Sequence, residues 1–333
     1  MTDLLGIKFP MIMAPMFLVS NEPMIEAAMA SGIMGVFPSL NYREQGEIDA
    51  VLQRLNELAA RSPQGSYGVN LIVQKTNPLY RKHLESCEAH KVPFYITSLG
   101  NPKEVIERAH SYGGKVFCDV TNLEHAQKVH DLGCDGFIAV GQGAGGHAGP
   151  YSLQVLVPSL RERFPDTLVA AAGGIASGEA IASMLAVGAD GVSVGTHYIA
   201  STEAQVNDAY KQAIVDSGMQ DIVMSTKISG TPCAIINTPY AKKIGYRQNW
   251  FERTLSNNPR TKKYFKMLVQ FRGMKRLERA AFKASYKTLW SAGQSVEQVK
   301  KIMPVSEITE KLMKETEAAI TRLHQLLVAE HAS

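Results

Sequence analysis

Short apolar runs alternate with longer segments of helical periodicity between residues 11 and 217. Runs that are apolar throughout are typical of strands buried on both faces, and strict alternation with helices makes such strands parallel. Eight runs predict an α/β fold closed into a (βα)8 TIM barrel, since an open sheet more often carries a glycine fingerprint after its first strand. The predicted strands are residues 11–15, 35–39, 67–73, 93–98, 115–119, 136–140, 168–172 and 191–195.

The ends of the intervening segments carry helix-capping signals. Asn21 can cap a helix that has Pro23 in its first turn and Gly32 at its end. Ser177 can cap another helix, which closes at Gly188. The polarity pattern and the capping signals therefore predict the same elements.

A different organisation begins after a helix predicted at about residues 201–217. Residues 218–303 lack the strand rhythm and exceed any ordinary barrel connection, and a final amphipathic helix is predicted from Ser306. We therefore predict that residues 1–217 and 304–333 form the barrel. Residues 218–303 would form a small, mainly helical subdomain that covers part of the barrel mouth.

Composition places the chain among ordinary globular proteins, with 45% hydrophobic and 20% charged residues. The four cysteines form no C-x-x-C pair and no cluster with histidine at metal-ligand spacing, so no metal site is predicted. The N-terminus lacks the basic start of a signal peptide, and no stretch approaches ~20 uninterrupted apolar residues. We expect a cytoplasmic protein that neither enters a membrane nor binds nucleic acid.

The net charge of +4 conceals a local excess of basic residues. Residues 240–287 hold fourteen Lys or Arg and two acids, Glu252 and Glu278. Such a segment can be a solvated helical face, or it can attract an anionic partner. Aromatic residues of the small subdomain, such as Trp250 and Tyr264, could line a substrate entrance or a homodimer contact, and the sequence leaves both alternatives open.

Glycine-rich loops follow predicted strands six, seven and eight, at the end of the barrel where barrel enzymes build their active sites. The loop after strand six, residues 141–149, has five glycines and one imidazole, that of His147. Strand seven ends in Ala172-Gly173-Gly174 and strand eight in Val194-Gly195-Thr196, each before a predicted helix. Because glycine lets backbone N–H groups approach an anion closely, the two turns predict a phosphate cradle.

Two histidines lie in these loops. Imidazole has an unperturbed pKa of about 6.5 and suits proton transfer near neutral pH, so His147 is the predicted catalytic residue, as a base or as a hydrogen-bond donor. The alternative is that His147 only orders its loop. His197 directly follows Thr196 at the start of a helix and is predicted to be structural.

Five motifs occur in order along the chain: Pro10-Met11-Ile12-Met13-Ala14-Pro15-Met16, Gly68-Val69-Asn70, Gly145-Gly146-His147-Ala148-Gly149, Ala172-Gly173-Gly174-Ile175, and Gly188-Ala189-Asp190-Gly191-Val192-Ser193-Val194-Gly195-Thr196. In this order they make the chain resemble the nitronate monooxygenase, or 2-nitropropane dioxygenase-like, family of FMN enzymes. The resemblance covers nearly the whole chain.

The resemblance implies an FMN cofactor at the barrel mouth. Ala14, Pro15 and Met16 would lie under the isoalloxazine ring, and Asn70 would reach the ring or the ribityl chain. Gly145 and Gly146 would lie along the flavin edge. The two strand-end turns would surround the phosphate with Ala172, Gly173, Gly174, Val194, Gly195 and Thr196. Many relatives carry a lysine near the end of strand five, where this chain has Asp119, and Asp119 is therefore left out of the binding set.

The implied reaction is oxidation of a small nitronate or nitroalkane with O2 to a carbonyl compound and nitrite, with FMN carrying the redox step. The alternative is an NAD(P)H-dependent flavin reductase similar to enoyl-acyl-carrier-protein or quinone reductases, which share the loop and both turns. The basic segment favours this alternative, because NAD(P)H, acyl-CoA and acyl carrier protein are anionic. A third alternative is a catalytically silent flavin- or phosphate-binding barrel that acts as a sensor or scaffold, and the intact His147 argues against it.

Overall fold

The computed structural model describes residues 1–62, 64–74, 77–227, 231–247, 269, 272–273, 278, 280–282 and 288–329. Eight parallel strands form a closed barrel. In the order of pairing they are β1 (Met11–Met13), β2 (Met34–Pro38), β3 (Ser66–Ile72), β4 (Phe94–Ser98), β5 (Lys115–Val120), β6 (Gly136–Val140), β8 (Leu168–Ala172) and β9 (Gly191–Val194). Strand β9 pairs with β1 to complete the ring. All eight predicted strands coincide with these, which confirms the (βα)8 barrel.

The helices of the described ranges alternate with these strands and continue after the last of them. They are α1 (Thr2–Leu5), α2 (Glu22–Ala30), α3 (Glu47–Ala59), α4 (Tyr80–Ala89), α5 (Lys103–His110), α6 (Leu123–His130), α7 (Leu153–Arg163), α8 (Gly178–Ala186), α9 (Thr196–Ile199), α10 (Asp208–Asp216), α11 (Pro239–Ile244) and α12 (Val305–Ala329).

The predicted helix caps are present. The Asn21 side chain accepts a hydrogen bond from the Met24 amide at 3.1 Å, with Pro23 in the first turn of α2. The Ser177 hydroxyl accepts one from the Ala180 amide at 3.3 Å at the start of α8. These short polar side chains satisfy N–H groups that have no partner within the helix, which fixes where each helix begins.

The apolar side chains of the strands divide between two cores. One core fills the barrel interior and includes Ile12, Phe94, Ile96, Phe117 and Ile138. The other lies between the strands and the surrounding helices. Because successive side chains of a strand point to opposite faces, strands buried in this way are apolar along their whole length. This explains why the polarity pattern showed continuous runs.

The last helix, α12, returns to the barrel and packs on α8, as the sequence analysis predicted for a helix from Ser306. Its Ile308 and Leu312 are fully buried. Gly178, at the start of α8, lies so close to α12 that a Cβ atom there would stand 2.2 Å from the Thr316 amide nitrogen. The Glu315 carboxylate also accepts a hydrogen bond from the Gly178 amide at 3.1 Å.

Replacing Gly178 with alanine is expected to destabilise the protein by about 1–3 kcal/mol, because the added methyl group would push α12 away from α8. Urea unfolding measures this effect as a lower midpoint at unchanged slope. Ser183→Ala is the matched control, since Ser183 is exposed on the same helix. Equal midpoints for Gly178→Ala and the control would contradict this account of the helix packing.

The described part of the segment between α10 and α12 contains a second, small sheet. Strand β10 (Ile222–Ser225) pairs antiparallel with β11 (Cys233–Ile236), and β11 pairs with a two-residue strand of the loop after β6, β7 (Gly146–His147). The polarity pattern did not predict β10 and β11. Most of the basic segment, including Trp250 and Tyr264, lies outside the described residues, and the division at residues 218–303 stays a prediction.

In the ranges given above, no helix combines the length and apolar character needed to cross a bilayer. Within the same ranges, no group of three or more His, Cys, Asp or Glu side chains could together hold a metal ion.

Candidate active site

Polar side chains form the floor of the barrel mouth. The interior core includes Ile96, Phe117 and Ile138, and side chains two residues further along a strand lie on the same face. Ser98 and Asp119 therefore face the interior at the C-terminal ends of β4 and β5, where barrel enzymes build their sites. Asn70 of β3, a predicted cofactor residue, is hydrogen-bonded to Ser98, which is itself hydrogen-bonded to Asp119.

These hydrogen bonds fix the orientation of the Asn70 amide. Its nitrogen donates to the Ile96 carbonyl oxygen at 3.1 Å and to Ser98 Oγ at 2.8 Å. Ser98 Oγ in turn donates to Asp119 Oδ2 at 2.5 Å. A carbonyl oxygen can only accept, so the NH2 group must face Ile96. Asn70 Oδ1 is therefore left as a hydrogen-bond acceptor on the other side of the amide.

Asp119 is a carboxylate that lacks a cationic partner in the described ranges. Burial raises the pKa of its carboxyl group to about 6, and the hydrogen bond from Ser98 acts in the opposite direction. Above pH 6 the group is therefore mainly ionised, in surroundings that disfavour its charge.

This pKa predicts a pH-dependent stability change in Asp119→Asn. The folded state binds the proton more tightly than the unfolded state, whose pKa is near 3.8. The stability that the neutral acid contributes is present below pH 3.8 and is lost as pH rises through about 6. We expect Asp119→Asn to be more stable than the wild type by about 1–3 kcal/mol at pH 8 and by little at pH 4.

Thermal or urea unfolding of both proteins at the two pH values measures this difference. Groups that titrate equally in the wild type and in Asp119→Asn, including His197, cancel when the free energies of unfolding of the two proteins are subtracted at each pH. Burial, followed in size by the charge of Lys311, lowers the pKa of His197 to about 4, so its contribution runs in the opposite direction. A stability difference that is the same at pH 4 and pH 8 would argue against a costly ionised Asp119.

The turn after β8 and the loop after β6 are in backbone contact. Gly173 and Gly174 have positive φ angles of 119° and 74°, which side-chain-bearing residues rarely adopt. A Cβ atom on Gly173 would lie 2.8 Å from the Ala144 amide nitrogen, and one on Gly143 would lie 3.0 Å from the Gly174 Cα. Glycine is therefore required here by both conformation and space. Ala172, just before the turn, accepts a hydrogen bond through its carbonyl oxygen from the Gly141 amide at 2.9 Å.

The turn after β9 lies against the loop after β1. A Cβ atom on Gly195 would stand 3.6 Å from the Ala14 Cβ and 3.7 Å from the Met16 sulfur. The Ala14 amide donates to the Val194 carbonyl oxygen at 2.9 Å. The structure thus brings Ala14 and Met16 beside Gly195, with Pro15 between them. The Val194 side chain is buried between strand and helices, so Val194 can face a ligand only through its backbone.

Asn41, which the sequence analysis missed, holds the loop after β1. Its side-chain oxygen accepts from the Leu18 amide at 2.8 Å, and its nitrogen donates to the Ser20 carbonyl oxygen at 2.8 Å. Leu18 has a positive φ of 64°, a conformation that is unfavourable for residues other than glycine. Ser20 Oγ also accepts from the Met16 amide at 2.9 Å. The loop that carries Ala14 to Met16 is therefore rigidly supported.

Gly293 is a second residue that the sequence analysis missed. Its amide donates to Thr196 Oγ1 at 3.0 Å, and a Cβ atom on it would lie 2.5 Å from the Gly143 carbonyl oxygen. A Cβ on Gly145 would in turn lie 2.7 Å from the Gly293 nitrogen. The chain that returns from the segment between α10 and α12, the appended segment, thus lies directly on the turn after β9 and the loop after β6. Only a single glycine marks this position in the sequence, and no pattern there predicts the contact.

His147 is exposed on β7, where Cys233 of β11 is its partner in the sheet. The preceding Gly146 has a φ of 69° and open space where a Cβ would stand. The appended segment therefore fixes the backbone that presents this imidazole.

His197, by contrast, is buried, and its Nδ1 lies 3.1 Å from the Ala176 carbonyl oxygen. Since that oxygen can only accept, Nδ1 carries the proton, and the low pKa favours the neutral ring.

The mouth offers hydrogen-bond donors to an anion. The amides of Gly174 and Gly195 donate to no acceptor in the described ranges; Gly174 is exposed and Gly195 is partly accessible. Neither carries a side chain that would fill the space beside it. Two glycine turns with unused N–H groups, next to an oriented Asn70 and an apolar Ala14–Met16 surface, fit a phosphate-bearing cofactor with a flat ring system.

Comparison with known proteins agrees with this geometry. The family model described as nitronate monooxygenase matches residues 1–315. The chain belongs to the nitronate monooxygenase family. It is therefore an oxidoreductase.

The names of individual relatives and of similar solved structures refer to more than one activity. The chain is 28% identical, over 75% of its own length and 68% of the other protein, to the Rhodococcus jostii "(3aS,4S,5R,7aS)-5-hydroxy-7a-methyl-1-oxo-octahydro-1H-indene-4-carboxyl-CoA dehydrogenase". It is also 24% identical to a Staphylococcus aureus "Probable nitronate monooxygenase", over 73% of its own length and 79% of the other protein. The structure of FabK from Thermotoga maritima superposes with a TM-score of 0.83 at 27% identity, covering 98% of each chain.

Proposed function

We propose that the chain binds FMN at the barrel mouth and oxidises small alkyl nitronates with O2 to carbonyl compounds and nitrite. The observation that carries this proposal is the pair of glycine turns after β8 and β9, beside the loop that presents His147. The amides of Gly174 and Gly195 in these turns have no acceptor in the described part of the chain. Membership of the nitronate monooxygenase family supports the reaction class.

The predicted cofactor residues divide by chemistry in this proposal. Gly173, Gly174, Gly195 and Thr196 would surround the phosphate, with Ala172 and Val194 contributing only backbone or small apolar surface. Asn70 Oδ1 would accept a hydrogen bond from the ring or the ribityl chain, because its NH2 group is already engaged. Ala14, Pro15 and Met16 would support the ring, and Gly145 and Gly146 would lie along its edge. When bound, FMN would supply the redox chemistry.

His147 would handle the proton. A neutral nitroalkane must lose a proton from carbon before oxidation, which requires a base, whereas a nitronate is already ionised and needs only a donor or a positive neighbour. An exposed imidazole at the mouth can serve both needs. The residues 218–303 would act as a subdomain that covers the mouth, since β11 already pairs with the strand that carries His147.

Reconstitution with FMN and a product assay test this proposal. The protein is expected to bind one FMN per chain and to release nitrite from a propyl or ethyl nitronate in air. A protein that fails to bind FMN, or that binds it and forms no nitrite with any small nitronate, would refute the proposed function.

A redox reaction on an acyl thioester is the second candidate. The name of the R. jostii relative describes a CoA thioester as its substrate, and residues 240–287 supply a basic segment suited to an anionic carrier. Under this candidate, activity would fall steeply with salt. Changing Lys262, Lys263 and Lys266 to glutamate would then raise the KM for the anionic substrate and leave kcat unchanged.

A further inference from the structure

The Asp119 carboxylate is only partly engaged by the protein. Oδ2 accepts the hydrogen bond from Ser98, and no donor in the described ranges reaches Oδ1. Asp119 is partly exposed as a residue, and its position on the interior face at the end of β5 places it at the barrel mouth. One oxygen of this acid is therefore open to whatever the mouth binds.

Two other partly buried aspartates of the barrel have cationic partners. Asp190 pairs with Arg161, and Asp135 pairs with Lys115 at 3.4 Å and with His110 at 2.8 Å. Both lie just before a strand, at the end of the barrel away from the mouth. A carboxylate taken out of water is normally compensated by such a partner. Asp119 has no cationic partner in the described ranges, so its ionised form lowers the free energy of unfolding. This points to a role other than stability.

Asp119 is connected to the proposed cofactor site by the chain of hydrogen bonds through Ser98 to Asn70. Ser98 has one hydroxyl proton, and it goes to Asp119. The lone pairs of Ser98 Oγ are then available to accept a hydrogen bond from the Asn70 amide. The carboxylate thus holds Ser98 as an acceptor toward Asn70, which in turn keeps Asn70 Oδ1 on the other side of the amide.

We propose that Asp119 is a positioning and redox-tuning residue of the cofactor site: it orients Asn70 through Ser98, and its negative charge lowers the reduction potential of bound FMN. This inference rests on the proposed function. Reduction adds negative charge to the ring system, and a fixed negative charge near the ring disfavours that state.

Two substitutions separate the two roles. Asp119→Asn removes the charge and keeps an oxygen that can accept from Ser98. Ser98→Ala keeps the charge and breaks the connection to Asn70. Asp166→Asn is the matched control, because Asp166 is exposed just before β8, at the opposite end of the barrel.

The test is a titration of FMN binding and a spectroscopic measurement of the reduction potential at pH 8 for all four proteins. Asp119→Asn should shift the reduction equilibrium toward the reduced form at least tenfold, which is about 30 mV for a two-electron couple. Its FMN affinity should stay near that of the wild type. Ser98→Ala should weaken FMN binding roughly tenfold with a smaller change in potential, and Asp166→Asn should change neither quantity.

The outcomes distinguish this inference from the proposed function. A potential for Asp119→Asn equal to that of Asp166→Asn would overturn the redox role. Unchanged FMN affinity in Ser98→Ala would overturn the positioning role. A wild-type protein that binds no FMN would overturn the proposed function and this inference together, whereas normal FMN binding with unresponsive variants would overturn this inference alone.

Discussion

Replacing His147 with alanine is expected to lower kcat/KM for a neutral nitroalkane by about 10²- to 10⁴-fold, the usual contribution of a positioned acid or base. The loss for a nitronate prepared in its ionised form should be much smaller, since no proton must leave carbon. His147 is exposed on β7 and its backbone is held by β11, so the fold is expected to survive the substitution. Steady-state assays with both substrate forms measure the difference.

His324→Ala is the matched control for this substitution, because His324 is exposed on α12, far along the chain from the glycine loop. FMN content must be measured for each variant, so that a lost cofactor is not mistaken for a lost base. If His147→Ala retains both full FMN content and wild-type turnover of the nitroalkane, His147 only orders its loop.

Replacing Gly173 with alanine is expected to raise the Kd for FMN by about 100-fold or more. Two effects combine at this position. Its φ of 119° is unfavourable for alanine, and the new methyl carbon would lie 2.8 Å from the Ala144 nitrogen. The turn after β8 and the loop after β6 would have to move apart. A 100-fold change corresponds to about 2.7 kcal/mol, and fluorescence titration with FMN can measure it.

Gly113→Ala separates these two effects. Gly113 also has a positive φ, 91°, but a Cβ there meets nothing within 4 Å, and it lies between α5 and β5, at the end of the barrel away from the mouth. Both variants should lose about 1 kcal/mol of stability from backbone strain. Only Gly173→Ala should lose FMN affinity, and an equal loss in both variants would show that the cradle is not at this turn.

The barrel could be predicted from the sequence because its strands are buried on both faces. Continuous apolar runs such as residues 136–140 and 168–172 coincide with β6 and β8 to the residue. Local capping signals at Asn21 and Ser177 were equally readable, since a cap is set by residues adjacent in the chain. The glycine turns after β8 and β9 could also be predicted, because strand ends in a parallel barrel meet at one mouth.

What the sequence did not predict depends on contacts between distant segments. Gly293 contacts Thr196 and Gly143 only because the chain returns to the mouth after the appended segment. Strands β10 and β11 are short, and β11 is stabilised by pairing with the loop of His147. Asp119 was left out of the predicted binding set because the resemblance implied a lysine at this position. Its hydrogen bond to Ser98 became visible only when β4 and β5 were placed side by side.

Anaerobic mixing of the FMN-loaded protein with a nitronate, and separately with NADH and NADPH, tests the central proposal most directly. The nitronate is expected to bleach the flavin absorbance in the absence of O2, and the pyridine nucleotides are expected to leave it unchanged. Rapid bleaching by NADH or NADPH with none by any small nitronate would contradict the nitronate monooxygenase assignment and favour the reductase.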